Sequence, residues 1–171
     1  MRRSFVELVV FVGLQASGKS TFYYEKFSGT HRHVSKDLFP HNPDKNRRQE
    51  HLIRAALSMG RSVVVDNTNP MPEDRRPLVR LGHGYGAKVV SYFFEASVSE
   101  CLRRNEVREG KAQVPDVAIY ATAKKLVAPS IEEGFDVLLR VRLNNSAFEV
   151  RGCRGRVQGV IEPSPGDNGS S

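Results

Sequence analysis

GLQASGKS, at residues 13 to 20, comes directly after the apolar run Phe5 to Val12. It fits the phosphate-binding pattern G-x-x-x-x-G-K-[ST] at every fixed position, in the strand–loop–helix setting that the pattern requires. Glycines let backbone N–H groups approach phosphate oxygens, and the next helix adds its positive amino end. The full match disfavours the alternative, an ordinary glycine turn. The stretch therefore predicts a site for the phosphates of a nucleoside triphosphate, with Lys19 bridging the β- and γ-phosphates and Ser20 holding Mg²⁺.

Further apolar or aromatic runs predict the remaining strands. They are Val63 to Val65, Val89 to Phe94, Val137 to Val141 and, more weakly, His33-Val34. The polar segments between them carry helical patterns, such as residues 44 to 59, whose apolar stripe ends before Gly60. This alternation predicts an α/β fold, a doubly wound parallel sheet with helices on both faces. Such sheets bind ligands at the carboxyl ends of their strands.

The chain length bounds the domain organisation. With 171 residues, the chain fits one α/β domain, which we place at residues 1–143. The alternation of elements ends near Asn144, after which Phe148 to Val150 is a candidate for one more short strand. The sequence from Arg151 onward is rich in Gly, Ser and Pro. Residues 144–171 are therefore expected to be a short terminal segment with a mostly disordered tail.

Composition bounds the partners and the compartment. The net charge of +7 favours an anionic partner such as a nucleotide or a nucleic acid, although a solvated basic surface without a specific partner gives the same charge. No apolar run approaches the roughly 18 residues of a membrane span. Cys101 and Cys153 lack the spacing of a disulfide framework or a zinc site. The histidines lack ligand spacing and are expected at the surface or in packing. Because the cysteines indicate no disulfide framework, the expected location is the reducing cytoplasm.

Two aspartates follow strand-like runs and are candidates for chemistry. Asp37 comes after the weak strand at His33-Val34, where a carboxylate could accept the proton of an attacking hydroxyl group. Its alternative is to cap a short helix. Asp66 ends the run Val63 to Val65, where it could hold Mg²⁺ or orient an acceptor. The polar turn that follows Asp66 also fits ordinary turn chemistry.

Two arginines are candidates for contact with phosphates. Arg104 and Arg108 are four residues apart in a helix predicted over 97 to 109, so they would share one face. The alternative is a solvated face paired with nearby glutamates. Because Gly110 and Pro115 follow, the segments 97 to 110 and 115 to 127 are expected to form a hinged helical lid.

Taken together, these motifs resemble the 5′-kinase domain of polynucleotide kinases, over about Val9 to Leu143. The resemblance depends on Gly-Lys-Ser-Thr-Phe at 18 to 22, Asp37, Asp-Asn-Thr-Asn-Pro at 66 to 70, the arginine-bearing helix before Val114-Pro115, and Glu-Glu-Gly-Phe at 132 to 135. The phosphate loop is common to many NTPases, whereas the Asp-Asn-Thr-Asn-Pro turn is more selective. The resemblance implies a P-loop kinase-like fold with a helical lid, ATP and Mg²⁺ as cofactors, and a nucleic acid with a 5′-hydroxyl end as partner.

The resemblance also implies roles for individual residues. Asp37 would be the general base, with Lys19 and Arg108 as further catalytic residues, and Ser20 and Asp66 would hold the metal. The donor would contact Gly13, Ala16, Ser17, Gly18, Lys19, Ser20, Thr21, Arg104 and Arg108, and the acceptor would contact Asp37, Asp66, Asn67, Asn69 and Arg76. Two positions depart from the family. Lys36 stands where an arginine often precedes the general base, and Pro40 stands where some members carry an arginine that holds the acceptor's adjacent phosphate.

Three functions remain open at this point. The first is transfer of the γ-phosphoryl group of ATP to a 5′-hydroxyl end of DNA or RNA, as in nucleic-acid repair or end healing. The second is a kinase that phosphorylates a small hydroxyl-bearing metabolite or nucleoside through the same donor site. The third is a regulatory NTPase whose hydrolysis controls a partner.

Overall fold

The computed structural model describes residues 5–153, which form a six-stranded sheet with helices on both faces. Its strands are β1 (Glu7–Val12), β2 (Arg32–Val34), β3 (Val63–Val65), β4 (Lys88–Phe94), β5 (Val137–Asn144) and β6 (Ala147–Gly152). Their order across the sheet is β2-β3-β1-β4-β5-β6. The first five strands pair in parallel, and β6 pairs antiparallel to β5. The predicted α/β class with a mainly parallel sheet is confirmed.

Helices make the connections between the parallel strands. They are α1 (Lys19–Lys26), α2 (Lys45–Ser58), α3 (Pro72–Gly84), α4 (Val98–Glu106) and α5 (Asp116–Lys125), with short 3₁₀ helices at Lys36–Leu38, Gly110–Ala112 and Ile131–Glu133. Helix α1 packs on one face of the sheet, and α2 and α3 pack on the other. Helices α4 and α5 contribute Cys101 and Ile119 to a small core that also contains Leu14 of the phosphate loop. This helix pair is the predicted lid.

The apolar run before the phosphate loop becomes the central strand β1. Leu8 and Val10 face α2 and α3, Val9 and Phe11 face α1, and all four are completely buried. A strand covered on both faces needs apolar residues at successive positions, which explains the unbroken run. The loop that follows Val12 therefore starts at the carboxyl end of the central strand, between β3 and β4.

The end of α4 differs from the prediction. The pattern predicted a helix to residue 109, but α4 ends at Glu106 and leaves Arg108 beyond it. The Arg108 N–H donates to the Asn105 carbonyl oxygen at 3.1 Å and closes a turn. The Asn105 side chain then bonds both backbone polar groups of Val114, which draws the chain back. Arg104 and Arg108 thus do not share one helix face, and that prediction was wrong.

The sheet extends through the candidate strand near the end of the described chain. Strand β6 includes Phe148 to Val150, and the Phe148 ring lies 5.1 Å from the Phe22 ring of α1, measured between centroids. Residues 154–171, which hold most of the predicted disordered tail, lie outside the described residues. Among residues 5–153, no helix combines the length and the apolar character that crossing a membrane requires.

Candidate active site

The phosphate loop is built on two glycines whose backbone needs explain the motif. Gly18 has a φ of 98°, in the left-handed region, where α1 begins. A Cβ on Gly13 would lie 2.9 Å from the Cβ of Phe94, closer than side chains approach in proteins. Ala16 also has a positive φ, 62°, a conformation that costs a non-glycine residue about 1 kcal/mol. The loop therefore has a tightly turned backbone, and the positive φ of Ala16 makes only a small unfavourable contribution to its free energy.

Lys19 is the first residue of α1, and its side chain is buried inside the loop. Its Nζ donates to the carbonyl oxygens of Gly13 and Leu14 at 3.1 and 2.6 Å and lies 3.4 Å from Ser17 Oγ. Burial lowers the pKa of Lys19 to about 8, against the opposing effect of the Asp66 carboxylate. The ammonium group is therefore held where the loop would surround phosphate oxygens.

Ser20 and Asp66 meet across the ends of two neighbouring strands. The Ser20 hydroxyl donates to Asp66 Oδ2 at 2.8 Å, and Asp66 is buried. The same oxygen lies 2.9 Å from His33 Nε2. The His33 ring stacks on Tyr23, with the centroids 4.0 Å apart and the planes at 13°. The two predicted metal ligands are thus brought together, and His33 fixes the orientation of the carboxylate.

Asp37 lies in the 3₁₀ helix after β2, at the mouth of the site. Ser35, rather than Asp37, caps this helix, because Ser35 Oγ accepts from the Asp37 N–H at 3.3 Å. Within residues 5–153, no hydrogen bond or ion pair engages the Asp37 carboxylate, which lies exposed at the edge of a groove. The capping alternative therefore does not hold, and the carboxylate is available to a substrate.

The Asp-Asn-Thr-Asn-Pro turn connects the parts of the site through its amide side chains. Asn67 Oδ1 accepts from the Lys36 N–H at 3.0 Å, and Asn67 Nδ2 donates to Gln49 Oε1 of α2 at 2.6 Å. Asn69 Nδ2 donates to the Phe11 carbonyl oxygen of β1 at 2.8 Å. These bonds fix the short helix that carries the candidate base relative to the central strand. Both asparagines are engaged by the protein, which favours positioning over direct contact with an acceptor.

Arg75 is buried behind this turn, and its guanidinium group bonds several segments of the chain, so we call it a hub. Its side chain is completely inaccessible, and its Nε and Nη2 donate to the two carboxylate oxygens of Glu133 at 2.7 and 3.0 Å. Its Nη1 donates to the carbonyl oxygens of Asn69 and Val127 at 2.9 and 3.1 Å. The Val127 N–H in turn donates to the Pro70 carbonyl oxygen at 2.8 Å. One guanidinium group thus ties the turn to the segment that returns from the lid.

The two lid arginines occupy different positions. Arg104, on α4, reaches the phosphate loop, with its Nη1 3.4 Å from the Ala16 carbonyl oxygen. Arg108, past the end of α4, donates from Nη1 to the Ala112 carbonyl oxygen at 3.1 Å. Burial is the main cause of the lowered pKa of Lys19, and the nearby charge of Arg108 lowers that pKa further. Both arginines therefore belong to the positive side of the site, although only Arg104 contacts the loop.

Two further side chains hold the lid in place. Asn105 is buried on α4; its Nδ2 donates to the Val114 carbonyl oxygen at 2.7 Å, and its Oδ1 accepts from the Val114 N–H at 3.0 Å. Gln15 in the phosphate loop donates to Thr122 Oγ1 of α5 at 2.9 Å. The lid is therefore fastened to itself at its turn and to the loop at α5.

A groove of about 1270 Å³ opens from this site between α2 and α3. Asp37, Lys36 and Asn67 lie at one end of it. Arg76, predicted to contact an acceptor, is exposed on its α3 wall. The candidate base and the candidate acceptor residues thus share one open space next to the phosphate loop.

A protein-family model described as an AAA domain matches residues 8–129 of the chain. The chain belongs to this AAA-domain family. The match covers the phosphate loop, the Asp-Asn-Thr-Asn-Pro turn and the lid.

Similar proteins specify the resemblance further. A bifunctional polynucleotide phosphatase/kinase of Schizosaccharomyces pombe is 29% identical over 136 residues, which cover 75% of this chain and 32% of that protein. The chain thus spans about a third of that relative's length. A structure of the Pnkp1/Rnl/Hen1 RNA repair complex matches with 26% identity and a TM-score of 0.59, over 71% of this chain and 44% of the other. The resemblance to polynucleotide kinase domains that the motifs predicted is confirmed.

A third comparison concerns the fold alone. A gluconokinase from Sinorhizobium meliloti is 21% identical, with a TM-score of 0.58, over 82% of this chain and 84% of that one. The P-loop kinase-like fold is therefore common to chains of quite different sequence, and the fold by itself does not identify the acceptor.

The donor groups of this AAA-domain site suit Mg²⁺ and a nucleotide. Mg²⁺ prefers oxygen ligands, and Ser20 Oγ and Asp66 Oδ2 provide two at the loop. Gly13 and Gly18 allow the tight turn of the loop, because a Cβ at either position would press on the Phe94 or Phe148 side chain, and loops of this kind turn backbone N–H groups toward an anion. Thr21 follows on the exposed side of the first turn of α1. Nucleotide binding by this loop is what the family implies.

Three supporting residues could not be recognised from the sequence. His33 was expected at the surface or in packing; it stacks on Tyr23, but it also contacts Asp66. Arg75 and Asn105 adjoin residues that the motifs singled out, yet their buried bonds reach 58 and 9 residues along the chain. The only signal available for each was its place beside a motif.

Proposed function

We propose that the chain transfers the γ-phosphoryl group of ATP to the 5′-hydroxyl end of a nucleic acid. The observation that supports this best is the exposed Asp37 carboxylate, which lies beside the phosphate loop and opens into the same groove as Arg76. A kinase needs a base at the acceptor hydroxyl next to its donor phosphates, and here the two halves adjoin. The relatives whose names include polynucleotide kinase support the choice of acceptor.

The donor half consists of the loop, Lys19, Ser20 and Asp66. The loop N–H groups and the Lys19 ammonium would bind the triphosphate, which requires Lys19 to exchange its present carbonyl partners for phosphate oxygens. Ser20 and Asp66 would hold Mg²⁺, which neutralises negative charge on the phosphates when it is bound. His33 keeps the Asp66 carboxylate turned toward Ser20.

The acceptor half centres on Asp37. Its carboxylate would take the proton of the 5′-hydroxyl group as the hydroxyl oxygen bonds to the γ-phosphorus. The bond from that phosphorus to the β–γ bridging oxygen breaks, and ADP leaves with the bridging oxygen. Asn67 holds the Asp37 helix in place through the Lys36 N–H. Most of the rate enhancement would come from this positioning.

The lid arginines would complete the charge distribution. Arg104 contacts the loop and is placed for the donor phosphates. Arg108 lies on the turn that Asn105 fastens, and it would exchange its bond to the Ala112 carbonyl oxygen for the transferring group.

Because Cys101 and Cys153 are both free thiols, we propose a reducing cytoplasm as the location.

Transfer from γ-labelled ATP in the presence of Mg²⁺ tests the proposal. The acceptors are a 5′-hydroxyl oligonucleotide, the same oligonucleotide with a 5′-phosphate, and a panel of small sugars and nucleosides. We expect label on the 5′-hydroxyl strand and none on its 5′-phosphorylated control. Label on a small acceptor alone would favour a metabolite kinase, and ATP hydrolysis without transfer to any acceptor would favour a regulatory NTPase.

A further inference from the structure

The groove between α2 and α3 extends well beyond the proposed catalytic centre. From Asp37 it continues along α3 past Arg76 and Arg80 to Tyr85, just after the helix ends. The stretch from Arg76 to Tyr85 is about 13 Å long at the rise of an α-helix. The groove has a volume of about 1270 Å³, which exceeds the roughly 300–1,000 Å³ of a typical small-ligand pocket. One small hydroxyl-bearing acceptor at Asp37 would leave most of it empty.

The α3 wall of the groove carries two arginines suited to phosphates. Arg76 and Arg80 are four residues apart on the helix, so they lie one above the other on one face. Both are exposed, and no ion pair engages either of them within the part of the chain that the structure describes. A row of unpaired guanidinium groups that leads away from a 5′-end site suits a phosphodiester backbone.

The carboxylates in the groove are partly engaged elsewhere. Glu50 forms an ion pair of 2.7 Å with Arg54 on α2. Asp74 accepts from the Met71 N–H at 3.0 Å at the start of α3. Glu73 is the remaining acid on the α3 side, one turn before the arginines. The charge along the helix thus becomes positive from Arg76 onward, in the direction away from Asp37.

At the far end, Tyr85 offers a flat ring to the groove. It is 41% exposed and lines the groove, so part of its ring is accessible. Exposed rings next to cationic side chains are the platforms on which proteins stack unpaired bases. A phosphate site and a base platform in one groove indicate a single strand rather than a duplex, whose bases are already stacked.

We propose that the α2–α3 groove binds the nucleotides that follow the 5′-terminal one in a single-stranded acceptor, with Arg80 on a phosphate and Tyr85 against a base. The assignment rests on the proposed function, which it deepens by naming the substrate class. It predicts that affinity increases with strand length, because a dinucleotide ends before it reaches Tyr85. The catalytic step at Asp37 is the same for both lengths.

Binding without ATP tests the groove separately from the reaction. Fluorescence anisotropy would compare a 5′-hydroxyl dinucleotide with a strand of about eight nucleotides, within the site sizes common for single-strand binding. We expect Tyr85→Ala to weaken binding of the longer strand by about 5- to 100-fold and to leave the dinucleotide unchanged. Tyr85→Phe, which keeps the ring, should bind like the wild type. Arg80→Ala should reduce the salt dependence of log affinity by about 0.7 for the longer strand.

Arg61→Ala is the matched control, since Arg61 is exposed before β3 and outside the groove. It should behave like the wild type, and equal thermal midpoints would show that all variants fold. Equal affinity for the two lengths, or wild-type binding by both Tyr85→Ala and Arg80→Ala, would overturn the groove assignment. A length-dependent affinity that Tyr85→Ala abolishes, without any phosphoryl transfer, would support the groove and contradict the proposed function.

Discussion

The Ser20 hydroxyl donates a hydrogen bond of 2.8 Å to Asp66 Oδ2, which joins the phosphate loop after β1 to the end of β3. The two strands are parallel neighbours, so their carboxyl ends meet at this edge of the sheet. His33 approaches the same oxygen from β2 at 2.9 Å. Three adjacent strands thus deliver one hydroxyl, one carboxylate and one imidazole to the place where a metal would sit.

Asp66→Asn should raise the Mg²⁺ concentration needed for half-maximal transfer by about 10- to 100-fold. The amide keeps the size of the side chain and can still accept from Ser20, but it lacks the charge that attracts the cation. Titration of Mg²⁺ in the transfer assay measures the effect. Asp44→Asn, at the exposed cap of α2, is the control that keeps the normal requirement. An unchanged requirement in Asp66→Asn would remove Asp66 from the metal site.

ATP affinity should fall as the pH rises above about 8. Burial lowers the pKa of the free Lys19 ammonium to about 8, and bound phosphates favour its charged form, so the pKa is higher in the complex. Binding therefore takes up a proton between the two pKa values, and affinity decreases with pH across that window. Calorimetry at about pH 7 to 9 measures it. Lys19→Arg, which stays charged, should show no such decrease, and a flat wild-type profile would contradict the account.

Arg75→Met should destabilise the fold by about 3–5 kcal/mol, because it leaves Glu133 beside a buried gap without its partner. Urea unfolding measures the loss. Arg54→Met is the matched control, since the Arg54–Glu50 pair is solvent-exposed and its removal should leave the free energy of unfolding nearly unchanged. Equal effects of the two substitutions would show that Arg75 is not the hub that its bonds indicate.

Asn105→Ala should loosen the turn of the lid and slow transfer. The substitution removes both bonds to Val114 and with them the reason that the chain turns back after α4. Amide hydrogen exchange should accelerate across residues 107 to 115, and kcat should fall more than ATP affinity. Asn144→Ala, at the exposed end of β5, is the control. Unchanged exchange across the turn would mean that other contacts hold the lid.

The sequence was sufficient for the sheet and the loop because both leave local patterns. The run at Val9 to Val12 and the spacing from Gly13 to Lys19 are each contained in one short segment, so periodicity and motif identify them. The early end of α4 leaves no local signal in the sequence, because it depends on a hydrogen bond between Asn105 and Val114, which follows the helix. Residues that look helical by spacing can be redirected by one buried amide.

The site residues also differ in whether a local pattern could place them. Asp37 and Asp66 follow strand-like runs, so their places at the sheet edge could be predicted from the topology. The contact of His33 with Asp66 could not, because it depends on how β2 and β3 align side by side. The engagement of Asn67 by Lys36 and Gln49 is also set by packing, which turned an expected acceptor contact into a proposed positioning role.

The most direct test of the account is single-turnover transfer by Asp37→Asn. General bases typically contribute about 10²–10⁴-fold, and the exposed Asp37 carboxylate has no capping bond whose loss would disturb the fold. We predict that Asp37→Asn binds ATP like the wild type but transfers the γ-phosphoryl group to a 5′-hydroxyl oligonucleotide at least about 100-fold more slowly. Transfer at the wild-type rate by a folded Asp37→Asn protein would contradict the central claim that Asp37 activates the acceptor.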